Sequence, residues 1–363
     1  MSLTQNLKQL IKFRTTPENI LEIRKAMSWV VRVLPKNLRV RRLGFFTHPT
    51  LFVTTHVTKR PKILLAAHID VVPGAVSLFR PKIIGDKLFG RGAFDMKFAI
   101  ASYLTLANEI KSELQHLNFG LLITSDEEIG GANGSEMILR KGFLPKVCIL
   151  PDGANNFDFE RRAKGFFTIK IECQGKSAHG SRTWEGNNAI ERLVGILELL
   201  KKNLSLKEEP CGDPQHNHNT LNISAICGGG TVNQIPDYAT ATVDIRFISH
   251  REKIEKAVRS LENKYEWLKL KKTRQGPVSE INPNNYYHQE FLRILKTHFR
   301  QKARFIVSHG TSDARFFTAQ NIPTIVTRPM GGGHHGEKEW ISLTSLNIFH
   351  RTLKEFVVKI GKY

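Results

Sequence analysis

Apolar residues between positions 50 and 150 fall into short runs separated by stretches of helical spacing. Leu51-Phe52-Val53-Thr54-Thr55, Lys62-Ile63-Leu64-Leu65-Ala66-Ala67, Phe119-Gly120-Leu121-Leu122-Ile123-Thr124 and Val147-Cys148-Ile149-Leu150 are strand-length and end in turn or polar residues, so they read as strands. Helical spacing runs from Met96 to about Ser112 and over roughly 134–141. Upstream, residues 3–33 carry helical spacing, with Thr16 predicted as N-cap and Pro17 as first residue of a second helix. This alternation argues for a wound α/β sheet.

After Gly165 the texture changes. A strand (Phe166 to Cys173), a helix (about Asn188 to Lys202), two strands (Leu221 to Cys227, Ala239 to Ile248), a helix (about Arg251 to Tyr265) and a strand (Leu268 to Thr273) follow in order. That is a β-α-β-β-α-β unit, the ferredoxin-like arrangement, inserted into the first domain. The predicted division is 1–165 and 281–363 for the host domain and 166–280 for the insert. Helix 287–300, strands from Phe305 and Thr324 and a last helix from Thr344 complete the host.

Composition changes this picture little. Of 363 residues, 40% are hydrophobic and 24% charged, an ordinary globular balance with room for a sizeable core. No apolar stretch nears the roughly 20 residues that span a bilayer, and Met1 to Lys12 lacks a signal-peptide pattern, so a cytoplasmic location and no membrane partner are expected. Cys148, Cys173, Cys211 and Cys227 lack Cys-x-x-Cys spacing, which argues against a disulfide framework or a thiolate zinc site. The net charge of +21 is spread along the chain without a nucleic-acid motif, so a basic surface is expected and nucleic acid is not.

The chemistry gathers behind the strands. His68 with Asp70, Glu127 with Glu128, and Asp152 each follow the C-terminal end of a predicted strand, the edge where open α/β sheets hold ligands. Singly, each is more often a surface acid or a buried His bonded to a local Asp. Adjacent carboxylates repel unless a cation lies beside them. A two-metal centre needs a bridging carboxylate, terminal carboxylates and imidazoles, and a base. His68, Asp95, Glu127, Glu128, Asp152 and the segment His334-His335-Gly336-Glu337-Lys338-Glu339 fit that need. Without cysteine among them, Zn²⁺, Co²⁺ or Mn²⁺ is expected. Asp70, two residues after His68, is positioned to accept the imidazole's second N–H.

Seven ordered blocks carry a resemblance: His68 to Pro73, Gly90 to Lys97, Asp126 to Gly130, Lys176 to Gly180, Gly229 to Pro236, Gly310 to Phe316 and His335 to Glu339. In that order they resemble the dizinc metallohydrolases that include aminoacylase, carboxypeptidase G, acetylornithine deacetylase and succinyl-diaminopimelate desuccinylase. The resemblance implies a zinc-exopeptidase-like mixed sheet with the insert serving as a lid and dimerisation domain. It implies two divalent ions, most simply zinc, bridged by Asp95, with His68 and Asp152 on one and Glu128 and His335 on the other. Asp95–Met96 would be a cis peptide. Glu127 would be the general base, Asp70 the partner of His68, and His179 the donor to the tetrahedral oxyanion, reaching a neighbouring subunit's site. His335 is preferred over His334 because the family's ligand lies four residues before a Glu, here Glu339.

Asn233, Arg246, Thr311, Ser312 and Arg315 would contact substrate, with Arg315 equally suited to a structural ion pair. The implied activity is amide hydrolysis of N-acyl-amino acids or short peptides, with desuccinylase- and deacetylase-like substrates slightly preferred. An exopeptidase or dipeptidase is the alternative, and a non-catalytic amino-acid- or peptide-binding relative the competitor from another class. Phe98, where a small residue is common, and Asp152, where several branches use Glu, depart from the commoner forms.

Overall fold

The structure is a computed structural model that describes residues 1–44, 46–204, 218–248, 251–300 and 302–362. Cys211 lies outside the described residues. The chain divides into two compact units: residues 1–161, 280–308 and 312–363, and residues 162–279 with 309–311.

The first unit is built on a six-stranded sheet. Its order is Arg39–Leu43, Thr50–Thr54, Phe119–Thr124, Ile63–His68, Val147–Ile149 and Thr324–Ile325. The first two pairings are antiparallel and the remaining three parallel, so the sheet is mixed. All six residues of both Ile63–His68 and Phe119–Thr124 are buried, which is why they read as continuous apolar runs. Alternate side chains serve different cores. Ile63, Leu65 and Ala67 join a core with Phe98, Leu104, Phe349 and Phe356; Leu64 and Ala66 join another with Phe52, Leu122, Cys148 and Phe317. Phe98 packs edge-on against Phe349, with centroids 5.6 Å apart. From Ile63–His68 the chain passes to its neighbour Phe119–Thr124 and then crosses back to Val147–Ile149 on the other side. That reversal makes a topological switch point beside the end of Ile63–His68.

The second unit has a four-stranded antiparallel sheet ordered Thr220–Gly228, Tyr238–Phe247, Gly165–Gln174, Leu268–Gly276. Numbered within the unit this is 2-3-1-4, the ferredoxin-like order. Helices Ala189–Asn203 and Arg251–Lys264 cover one face. Phe167, Ile169, Ile171, Val243 and Ile245 point into that core, while their neighbours are only partly buried.

Some boundaries differ from expectation. The second helix is Ile20–Val33, capped by Asn19, whose Oδ1 accepts the Glu22 N–H at 3.4 Å. Thr16 and Pro17 open a turn instead, closed by Asn19 N–H donating to the Thr16 carbonyl at 2.8 Å. Proline suits the second position of such a turn as well as a helix start. The helix from Met96 begins at Lys97, and the expected helix at 134–141 is a π-helical turn, Ala132–Glu136, running into the short helix Met137–Arg140. Among the described residues no helix is long and apolar enough to cross a membrane.

Candidate metal centre

Parallel strands bring the sequence-distant ligand candidates of the first unit to one edge of its sheet. His68 ends its strand, Asp126 to Glu128 follow the neighbour on one side, and Asp152 follows the neighbour on the other. Asp95 precedes Lys97–Glu109, and Asp95–Met96 is a cis peptide. His68 Nε2 lies 3.2 Å from Asp95 Oδ1 and 4.0 Å from Asp152 Oδ2. On the other oxygen of Asp95, Oδ2, converge His334 Nε2 at 2.7 Å and His335 Nε2 at 3.2 Å; His335 Nε2 is also 3.4 Å from Glu128 Oε2. The ligand atoms form two groups, His68 with Glu127 and Asp152, and Asp95 with His334 and His335.

These residues fit a pair of cations. His68 Nε2 and Asp95 Oδ1 are buried and face each other at 3.2 Å without a well-formed hydrogen bond among the described residues. Leaving such groups unsatisfied is costly unless something else engages them. The electrostatics agree. Burial, reinforced by Asp152, pushes the Glu127 pKa well above the usual carboxylate range. Burial and Asp95 raise Asp152 to about 7. Hydrogen bonds to Asp95 and Glu128 raise His335 to about 10. Burial opposes ionisation of Asp95, but His334, His335 and His68 outweigh it and hold its pKa well below normal.

The contacts of His68 and His334 add detail to this arrangement. His68 Nδ1 lies 2.9 Å from the backbone carbonyl of Asp70, while its carboxylate Oδ1 is 3.5 Å away. The nearer acceptor is the carbonyl, because the Asp70 carboxylate turns to the next turn and accepts the Glu128 N–H through Oδ2 at 2.9 Å. Asp70 therefore joins His68 to Glu128 through both its carbonyl and its side chain. His334, over which His335 is preferred in the sequence, stacks on His335 with ring centroids 3.9 Å apart and lies closer to Asp95 than His335 does.

Arg315 is 3% exposed, and its guanidinium donates to the carbonyls of Ser312 at 2.7 Å and Gly130 at 2.8 Å. It thus ties its own helix start to the turn that carries Glu127 and Glu128. Buried Asp313 lies beneath the same turn: Gly131 has φ +67°, and a Cβ there would collide with Asp313 Oδ1. Ser312 Oγ is buried and accepts the Ala314 N–H at 3.3 Å. The turn at 312–315 is therefore built as a support.

His179, Asn233, Arg246 and Thr311 belong to the second unit. There the two motif segments pair: His179 bridges to Gln234, Gly180 N–H donates to the Asn233 carbonyl at 2.7 Å, and Ile235 N–H to Ala178 at 2.9 Å. His179 and Asn233 are exposed. Arg246 pairs with Asp244 at 2.7 Å and donates to Thr311 Oγ1 at 3.3 Å.

Sequence reasoning missed Glu339 and Arg91 as site residues. Buried Glu339 accepts hydrogen bonds from the segment leading to Asp95, and Arg91 donates to Glu339 and to the His335 carbonyl. Their signal was present, since both lie in the blocks Gly90 to Lys97 and His335 to Glu339.

A buried imidazole and two more exposed ones meeting carboxylates at a sheet's switch point define a metallohydrolase type of centre. Residues 64–359 match the description of peptidase family M20/M25/M40, and the chain belongs to that family. The family's enzymes are dimetal hydrolases. The chain is 27% identical to a succinyl-diaminopimelate desuccinylase of Rickettsia akari over 98% of each chain. It is 28% identical to a probable carboxypeptidase of Paracoccidioides lutzii over 62% of its length, and spans about half (53%) of that protein. An M20 family metallo-carboxypeptidase from Sulfolobus solfataricus has the same fold, with a TM-score of 0.81 over 99% of both chains at 15% identity.

Proposed function

We propose that this protein hydrolyses the amide bond of N-acyl-amino acids or short peptides at a dimetal centre. The observation that carries the proposal is the convergence of His68, Asp95, Glu128, Asp152 and His335 around one space, with Glu127 beside them. In this reading His68 and Asp152 would hold one ion, Glu128 and His335 the other, and Asp95 would serve both. Bound there, divalent ions lower the pKa of water and offset charge developing on a carbonyl oxygen. Zinc is the simplest occupant of such a nitrogen and oxygen donor set, with cobalt or manganese as substitutes.

Glu127 is the general base. Its carboxylate takes a proton from the attacking water and passes it to the departing amine nitrogen. Its raised pKa suits a group that must hold that proton in transit. Glu128, adjacent in sequence, faces His335 instead, and its N–H donates to Asp70. His179 donates to the oxyanion. Its Nδ1 accepts the Ser181 N–H at 3.2 Å, which leaves Nε2 of the exposed ring as the donor. The second unit acts as lid and, where His179 serves a neighbouring copy, as dimerisation domain; Asn233, Arg246 and Thr311 are its substrate contacts. A cytoplasmic setting belongs to the same reading.

Succinylated or acetylated amino acids are the preferred substrates, in line with the desuccinylase relative; a carboxypeptidase or dipeptidase activity is the alternative. A panel of N-succinyl-diaminopimelate, N-acetylornithine, other N-acyl-amino acids and dipeptides with Zn²⁺, Co²⁺ or Mn²⁺ separates them. Glu127→Ala should keep its metal and fold and lose about 10²–10⁴-fold in kcat. Full activity in that variant would sink the assignment of the base. Binding without turnover across the whole panel would favour the non-catalytic reading.

A further inference from the structure

Glu339 is 2% exposed, and both its carboxylate oxygens are doubly used. Oε1 accepts the backbone N–H of Phe94 at 2.9 Å and of Asp95 at 3.0 Å. Oε2 accepts the N–H of Gly92 at 3.0 Å and Nη1 of Arg91 at 2.8 Å. Four donors occupy about the four lone-pair sites that an ionised carboxylate offers. Arg91, itself 3% exposed, sends its other terminal nitrogen, Nη2, to the carbonyl of His335 at 3.2 Å. The Glu339 carbonyl accepts the Gly90 N–H at 3.0 Å, in line with the pairing of Trp340 with Phe89 in the adjoining small sheet.

Besides the Arg91 N–H to Leu78 and the Ala93 N–H to Gly90, the backbone N–H groups of Gly90–Asp95 are held by Glu339. Gly92 sits at φ +81°, and a Cβ there would meet the Lys97 side chain at 2.7 Å. His335 has φ +59°, a region a residue with a Cβ seldom occupies without support. One buried carboxylate thus gathers the N–H groups that end at Asp95, and its arginine partner gathers the carbonyl of His335.

We propose that Glu339, acting with Arg91, is the positioning residue that sets Asp95 and His335 relative to each other and so tunes the affinity of the metal pair. This rests on the dimetal reading above. The negative charge matters. An amide at 339 would present an NH₂ group to two of the four N–H donors, leaving them unsatisfied and the arginine without a counter-charge. Groups behind metal ligands characteristically change affinity by about 10–100-fold when altered.

The test is cobalt titration of the metal-free full-length chain, followed by visible absorption and calorimetry, with circular dichroism of the same samples. The wild type should take up two ions. Glu339→Gln should keep its dichroism and lose about 10–100-fold in affinity for at least one of them, with an altered cobalt spectrum and a fall in kcat at nearly constant KM. Arg91→Lys keeps the charge beside Glu339 but cannot span to the His335 carbonyl, so it should weaken one ion only. Wild-type affinity and spectrum in Glu339→Gln would overturn the proposal. If that variant does not fold, unchanged uptake of both ions by Arg91→Lys overturns it instead. Uptake of fewer than two ions by the wild type would overturn the dimetal reading itself.

Discussion

The two sheets of this protein solve burial differently, and the difference governs where chemistry is placed. In the six-stranded sheet the central strands are buried on both faces, and alternate side chains enter separate cores. In the four-stranded sheet only one face is filled, as the alternation in Gly165–Gln174 and Tyr238–Phe247 records. A sheet covered on both faces has only its strand ends left for polar groups, so His68, Glu127, Glu128 and Asp152 are confined to one edge and become half-buried or buried. The one-faced sheet leaves its polar residues at the surface, where His179 and Asn233 stand on paired loops. Buried charge needs a cation or a network; exposed polar groups need neither.

The largest effects should come from truncating the doubly buried sheet. Leu65→Ala and Leu122→Ala point into opposite cores, and each should cost about 2–5 kcal/mol in equilibrium denaturation. In the second unit, Ile171→Ala should fall in the same range because Ile171 is fully buried. Thr240→Ala, on the opposite face, should stay within about 0.5 kcal/mol. If Thr240→Ala cost as much as Ile171→Ala, the comparison between the sheets would break.

The next effect is functional and separates the two sites. His179→Ala should lower kcat by about 10²-fold, the usual cost of an oxyanion donor, without changing metal content or stability. Loss of metal in that variant would contradict the division between a buried metal-holding unit and an exposed donor. Unchanged kcat would remove His179 from the chemistry.

Much of this contrast was legible in the residues. Phe119–Thr124 matches the expected strand because a continuous apolar run of strand length has one good solution in a covered sheet. The ferredoxin-like order followed from alternation and turn spacing in the second unit. Local rules failed where two solutions were nearly equal, as with Thr16-Pro17 against Asn19 for the helix cap. They could not reach tertiary networks. Glu339 served only to mark the position of a histidine, because nothing in its neighbours reveals four donors arriving from Arg91 to Asp95. Arg315 suits substrate or structure equally in the sequence, and its bond to the Gly130 carbonyl is a tertiary contact that no local rule reveals.

The smallest expected effect concerns acid, and it probes whether buried polar groups make the first unit the labile one. His288, 1% exposed, donates from Nε2 to the Thr324 carbonyl at 2.8 Å, while Nδ1 has no hydrogen-bond partner among the described residues. Burial depresses its pKa from 6.5 to about 4. The folded state therefore binds fewer protons at this site than the unfolded chain between about pH 6.5 and 4, and stability falls as pH drops through that window. From pH 7.5 to 5 the loss at this site should be about 2 kcal/mol. His288→Gln keeps an N–H donor and removes the titration, while the other titrating groups are common to both proteins. Denaturation at the two pH values should show wild type losing about 2 kcal/mol more than the variant. Equal losses would mean that His288 titrates alike in both states, and would leave acid sensitivity of this kind to groups such as His350, whose pKa burial also lowers.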